Sequence, residues 1–594
     1  MSGIKPLFLI LVLAAPPSVR AAGLTTAAER SGWAETGRYD EVVALCAEFQ
    51  KVYPGIVRCF EFGRTPEGRP MLALAVSGDG VLEPKAARAK KRPVLLVQGG
   101  IHAGEIEGKD AGFWVLRELL ESPAGRASLA RFTLVFVPVF NVDSHERFGP
   151  NHRPNQRGPR EMGWRTTGQN LNLNRDYAKA EAPEMAAMLE LLTAWDPVVY
   201  ADIHTTDGAQ FQHDVSVNLV PSLGGPTRLA ALGRGLRDRL LERLKAGGHL
   251  PVSFYPEFIR RDDPASGFRV GMAPPRLAHS YWGLRNRFGI LLELHSWKTY
   301  DLRVKAAADF ILALLDAAAK DGAAWAAACA AQDAADSGPD VPDVTLAWAA
   351  GGKSRPLEFL GYAYSRTTSS VSGALMTVYD ESRPQVWTLP FFDQLKPAAS
   401  ARPPEAGYLV PAAHAGWVAE KLRLHGIAFE ALAADRPAVR VSVFRAAKAV
   451  PGKESYEGRL GMTVEGVWAP EEREVPRGSL LVPTRQARRS LLTHLFEPAA
   501  PDSFLRWGFF NTAFELKEYM EPYVAEAAAR DMLKDPAAAA DFEKRLREDP
   551  AFAADPERRL DYFYRRHPSW DERYNLYPVY RLEESLDPET RSRP

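Results

Sequence analysis

The strongest constraint on this chain is a set of short segments that are apolar at nearly every residue rather than at alternate ones. "RPVLLVQGG" (92–100), "RFTLVFVPVFN" (131–141), "PVVYADIH" (197–204) and "FGILLELHS" (288–296) leave no polar face to turn toward water. Such strands must be covered on both sides. Cover is at hand, because segments of helical spacing lie between and after them: 110–120, "EAPEMAAMLELLTAW", "PTRLAALGRGLRDRLLERLKAG" and "LRVKAAADFILALLDAAAK". The pattern predicts an α/β fold, a mixed, mostly parallel sheet with helices on both faces.

At 594 residues the chain is too long for one ordinary domain. Residues 1–22 read as a cleaved secretory signal, since the apolar run Pro6–Ala15 is far shorter than the ~20 residues of a membrane span and small residues follow it. The α/β domain then occupies 23–322. An Ala-rich stretch with "SGPDVPD" leads to a small β-rich region over 335–400, and a Pro/Ala-rich linker leads to an α/β region with a helical tail over 401–594, of unassigned function. Lys+Arg and Asp+Glu are both 74, so no electrostatic footprint for nucleic acid is expected. With the leader removed, no stable membrane span remains, and the protein is expected to be exported, periplasmic or secreted. Three cysteines exclude a disulfide scaffold, while an oxidising compartment would allow Cys46 and Cys59 to pair or leave all three as buried thiols.

Chemistry concentrates at the carboxyl ends of the apolar strands, where ligands bind in open α/β sheets. His102 and Glu105 follow "VLLVQGG", His204 ends "VVYADIH", and Glu293 lies in "GILLEL". The H-x-x-E tetrapeptide alone is a common chance match. Joined to a distant histidine and a further carboxylate at like positions, it becomes the donor set of a catalytic zinc, two His and one Glu with a position open for water. A separate carboxylate is still needed as general base, and Glu293 suits that role. Between these motifs, "GWRTTGQNLNLNRDY" carries Arg165 and the pair Asn174-Arg175, groups suited to a substrate carboxylate and an oxyanion.

"GGIHAGE", "GWRTTGQNLNLNRDY", "YADIH" and "ILLEL" resemble, in order, the motifs of the M14 zinc metallocarboxypeptidases, and "YPGIVRCFEFGRTPEGRPMLALAVS" resembles the family's opening. The resemblance covers about residues 30–322 and points to a bacterial, exported member with a long C-terminal extension. It implies one Zn²⁺ per catalytic domain, bound by His102, Glu105 and His204, with Glu293 as general base. Asn174 and Arg175 would hold the substrate's terminal carboxylate and Arg165 the oxyanion, with Arg153 in "HRPNQRG" competing for that last role. The activity implied is hydrolysis of C-terminal peptide bonds. The alternative is an amidase or deacylase on acylated amino acids or murein peptides, again with a free carboxylate on the substrate. A third reading is a zinc-binding scaffold whose catalytic fold has decayed.

Two positions depart from the family pattern. Asn172 stands where an aspartate orients the first zinc histidine, and the capping tyrosine has no clear counterpart, with Tyr255 and Tyr281 both available. Other polar residues are read structurally. Glu107 drops out because only Glu105 has the motif spacing; Glu184 complements a helix dipole; His295 has a core or supporting role. Asp202 is taken to face away from His204 and to make a structural hydrogen bond.

Overall fold

The computed structural model describes residues 22–586 and the backbone of 591–592. The leader expected over 1–22 lies outside the described residues except for its last position. The chain divides into two compact units, the first made of residues up to Pro403 together with Ala419–Ala428 and Thr484–Ser503, the second of Pro404–Val418, Phe429–Pro483 and the chain from Phe504 on.

In the first unit the strands are β1 (Val57–Arg64), β2 (Pro70–Val76), β3 (Val94–Gln98), β4 (Thr133–Val137), β5 (Val199–Thr206), β6 (Val215–Val220), β7 (Pro251–Val252), β8 (Phe268–Arg269) and β9 (Phe288–His295). Eight of them form one sheet in the order β1-β2-β4-β3-β5-β9-β6-β7. Its centre, β4-β3-β5-β9, is parallel throughout, while β1, β2 and β6 join antiparallel. Every residue of β3, β4, β5 and β9 is buried, as the two-faced apolar runs require. Helices Pro183–Trp195 and Ala278–Gly283 pack against strands, and Glu107–Glu121 and Thr227–Ala246 each pack on Tyr300–Asp336. Fully burying each Val, Leu or Phe side chain of these strands contributes roughly 1.5–3 kcal/mol.

The last of these helices runs 37 residues, through the Ala-rich stretch read as the start of a linker. Alanine is the strongest helix former, the single glycine, Gly322, is tolerated in the interior, and no proline intervenes before Ser337-Gly338-Pro339. Beyond it, β10 (Val344–Ala350) pairs with β13 (Leu395–Ala401), and β11 (Arg355–Thr368) forms a long hairpin with β12 (Leu375–Phe392). That hairpin also pairs with β8. A disulfide joins Cys46, on the helix Tyr39–Val52, to Cys59 on β1, and Cys329 is a buried thiol.

The second unit holds a seven-stranded sheet in which Gly407–Val410 pairs antiparallel with Leu480–Pro483, and Arg436–Pro451 with Met462–Val475. Leu409, Val441, Val443, Leu481, Leu576 and Leu582 form its core. Three helices, Pro522–Met532, Pro536–Glu548 and Pro556–Tyr564, follow. Among the described residues no helix is long and apolar enough to cross a membrane.

Candidate metal centre and cleft

The loop after β3 delivers the first two ligands. Gly100 adopts φ +61°, a conformation open to glycine at little cost, and the turn closes with Glu105 N–H donating to the His102 carbonyl at 2.9 Å. Gly104 permits a close approach, since a Cβ there would meet Arg153 Cγ at 2.5 Å and the Gly163 carbonyl at 2.6 Å. The helix beginning at Glu107 then leads the chain away.

His102, Glu105 and His204 converge, all buried, with potential ligand atoms within 4.8 Å of one another. Glu105 is the hub. Its Oε1 lies 3.0 Å from His102 Nδ1 and its Oε2 3.1 Å from His204 Nδ1, so both imidazoles turn the same nitrogen inward. The outer nitrogens are held from behind: His102 Nε2 is 3.0 Å from Asn172 Oδ1, and His204 Nε2 is 2.7 Å from Asp202 Oδ2. Asp202 is itself fixed by Gln98 Nε2 at 2.8 Å. Two inward nitrogens, one carboxylate and anchored outer nitrogens suit a zinc ion.

The electrostatics follow from burial and charge. Burial lowers His102 to about 4, which keeps its imidazole neutral and available to a metal. Burial also pulls His204 down, but Asp202, Glu105 and Glu293 outweigh it and carry the group well above its ordinary value. Burial works against ionisation of Glu105, yet His102 and Arg153 bring it well below the usual carboxylate range.

Glu293 stands on β9 directly opposite His204 on β5 in the parallel register. Burial pushes its carboxyl up; His204 pulls it down, Glu105 and Asp202 push it further up, and the balance is raised. Its Oε2 is buried with no hydrogen-bond partner among the described residues. A buried carboxylate oxygen without a donor, beside a cation site, is one poised to take a proton.

The remaining expected residues line the same cleft, of about 1140 Å³: Arg165, Asn174 and Arg175, and also Arg153. The two competing arginines share one partner. Arg153 is 7% exposed and reaches Glu105 Oε1 at 2.7 Å, whereas Arg165 is 38% exposed and reaches it at 3.3 Å. Asn174 accepts from the Ala278 N–H at 3.3 Å, which ties the tight turn Leu173–Arg175 to the neighbouring helix. Tyr255 lines the cleft and bonds Thr206 Oγ1 at 3.0 Å, but Tyr281 is fully buried and bonds His425 Nδ1 at 3.0 Å.

One expectation is overturned. Asp202 does not face away from His204; alternation along a strand puts residues i and i+2 on the same face, so it lies beside the imidazole and orients it. Glu107 is structural, bound by Thr205 Oγ1 and Arg303 Nε at 2.7 Å each. His295 is a core residue, 2.9 Å from the Ala209 carbonyl and packed on Phe211. The sequence reading missed Tyr379, which lines the cleft from β12.

With this geometry in hand, the chain resembles known proteins at the same place. Residues 42–223 match the family model for zinc carboxypeptidase, Peptidase_M14. That match covers 182 of the 594 residues. The family segment includes His102, Glu105, Asn174, Arg175 and His204, and ends before Glu293. Carboxypeptidase A6 of Mus musculus is 30% identical over 145 residues, 23% of this chain and 30% of that protein. The inactive metallocarboxypeptidase ECM14 of Saccharomyces cerevisiae is 29% identical over 124 residues, 19% of this chain and 28% of that protein. The match to each thus spans under a third of the relative's length. The crystal structure of carboxypeptidase A from Helicoverpa armigera aligns at a TM-score of 0.36 and 18% identity, over 50% of this chain and 75% of that one.

Proposed function

We propose that this chain is an exported zinc carboxypeptidase that hydrolyses the last peptide bond of its substrate. The observation that carries the reading is Glu293, donor-free and in register with His204, beside the convergent His102, Glu105 and His204. Zinc held by those three residues supplies a water of lowered pKa and a polarised scissile carbonyl. Asn174 and Arg175 hold the terminal carboxylate, which sets the last peptide carbonyl against the metal centre. Glu293 takes the proton of the attacking water as the new C–O bond forms, and returns it to the leaving amine as the C–N bond breaks. Arg165 stabilises the oxyanion in between.

Likeness to a relative named inactive means that family resemblance alone does not carry turnover; the intact set of His102, Glu105, His204, Glu293 and Arg175 does. A Cys46–Cys59 disulfide fits an oxidising compartment, which supports export. The test compares peptides with the same peptides amidated at the C-terminus, alongside N-acyl amino acids and murein peptides. Free peptides should lose single C-terminal residues, and amidation should cut kcat/KM about ten- to a hundredfold, in line with the roughly 1.5–3 kcal/mol of a hydrogen bond to a charged group. Equal rates on both would refute the role of Arg175, and preferred turnover of acyl amino acids or murein peptides would replace the peptide reading with the amidase one.

A further inference from the structure

The cleft is larger than the terminal residue of a peptide needs. Its volume of about 1140 Å³ exceeds the roughly 300–1,000 Å³ of a small-molecule pocket. Part of its wall comes from outside the α/β sheet and far along the chain, from the β11–β12 hairpin.

That hairpin is built into the wall at several points. β12 runs parallel to β8, with Phe391 opposite Phe268 and Phe392 opposite Arg269, and Val270 N–H donates to the Phe392 carbonyl at 2.9 Å. Thr377 donates twice to Asp262, from its backbone N–H to Oδ2 at 2.8 Å and from Oγ1 to the carbonyl at 2.6 Å. Phe359, Trp387 and Phe391 of the hairpin share one apolar cluster with Phe254 and Phe268 of the wall. Packing there is tight: at Gly267, φ +73°, a Cβ would sit 2.0 Å from the Pro390 carbonyl oxygen. The segment 253–272, which carries Tyr255, Arg261, Arg269 and Met272 into the cleft, is held from the sheet side by Ser216 Oγ, which donates to the Phe254 carbonyl at 2.6 Å, and by Thr206 at Tyr255, and from the other side by the hairpin.

The two tyrosines of the cleft occupy different electrostatic neighbourhoods. The charges around Tyr255 include Glu293 and Glu105 of the metal centre, with Glu257 between them in weight. Around Tyr379 the largest are Asp262, Arg366 and Asp263, with the neighbouring Tyr364. Tyr379 lines the cleft with its hydroxyl buried and without a hydrogen-bond partner among the described residues, and its ring is backed by Tyr364 and Trp387, at 6.2 Å each.

We propose that the β11–β12 hairpin is a substrate-binding wall, and that the Tyr379 ring binds the backbone and side chains of a peptide upstream of the residue being released. This rests on the peptide reading of the site and specifies its substrate: an extended peptide of several residues rather than a dipeptide or an acyl amino acid. A tyrosine ring offers a peptide a large, rigid apolar contact surface. It acts on binding along the chain and not on the proton transfer at Glu293.

The test is a ratio, kcat/KM for an N-acetyl pentapeptide over that for the N-acetyl dipeptide sharing its last two residues, on the zinc-loaded full chain. The parent should favour the longer peptide, Tyr379→Ala should lower the ratio about tenfold, mainly through KM, and Tyr379→Phe, which keeps the ring, should retain it. Thr377→Val, which removes the hydroxyl's bond to Asp262, should lower it too and serves if Tyr379→Ala does not fold. The same two peptides titrated calorimetrically into Glu293→Gln protein give the ratio as Kd, independent of turnover. An unchanged ratio in Tyr379→Ala, or no preference for length in the parent by either measure, overturns the proposal. Absence of hydrolysis of both peptides by the parent, with length-dependent binding intact, would instead refute the carboxypeptidase reading and leave the wall standing.

Discussion

Replacing Asn172 by aspartate should tighten zinc binding. The two imidazoles of the centre are held unequally: His204 Nε2 meets a carboxylate at 2.7 Å, but His102 Nε2 meets an amide oxygen at 3.0 Å. A hydrogen bond to a charged acceptor contributes about 1.5–3 kcal/mol net, against about 0.5–1.5 for a neutral one. The gain from Asn172→Asp is then about 1–1.5 kcal/mol, or close to tenfold in Kd. The opposing cost is one more buried carboxylate among Glu105, Asp202 and Glu293, offset by the metal's own charge and by Arg153 and Arg165, which lie against Glu105. The backbone is not at risk, because the Asn174 N–H that donates to Asn172 Oδ1 at 3.0 Å finds an equivalent oxygen in aspartate. Competition against a chromophoric zinc chelator near pH 7.5, with thermal melts as a folding control, measures the effect. Unchanged or weaker affinity in a folded variant would refute the idea that the acceptor behind His102 limits the site.

The converse change, Asp202→Asn, should weaken zinc binding by about 10–100-fold while the amide oxygen still accepts from Gln98, and the same competition assay reads it. Glu184 supplies a stability prediction away from the site. It is fully buried, neither carboxylate oxygen has a partner among the described residues, and burial raises it from 4.5 to about 7. Between those values the folded state binds the extra proton, so stability is lost as pH rises through about 7, by roughly 3 kcal/mol at most at 1.36 kcal/mol per unit. Glu184→Gln should melt with a smaller drop between pH 5 and pH 8 than the parent, and an equal drop in both proteins would refute it.

Much of the first unit was legible because its signals are local. Apolarity on every residue marked β3, β4, β5 and β9, and a strand-to-helix exit with two glycines marked the loop that bears His102 and Glu105. The stretch 205–270 hid β6, which alternates apolar and polar residues instead of being apolar throughout, and β7, which has only two residues. The partner of Cys46 could not be read from spacing, since pairing depends on a Cα separation, here 5.4 Å, that only the docking of a helix on β1 creates. Asp202 was legible in principle; strand alternation alone puts it beside His204. Arg153 was legible as the rival of Arg165, but its reach to Glu105, which depends on the room that Gly104 leaves for its side chain, was not. Tyr379 was not legible at all, because it reaches the cleft through a hairpin that lies beyond the last of the motifs it joins.

The central claim is that Glu293 moves the proton in a reaction carried out at His102, Glu105 and His204. The most direct measurement is release of C-terminal residues, followed by mass spectrometry, for the parent, chelator-treated and zinc-restored protein, and for Glu293→Gln with its bound zinc quantified. The account predicts that chelation abolishes release and zinc restores it, while Glu293→Gln keeps its zinc and its peptide affinity but loses at least about a hundredfold in kcat, the low end for a general base. A Glu293→Gln protein that retains both zinc and near-parental kcat would contradict it.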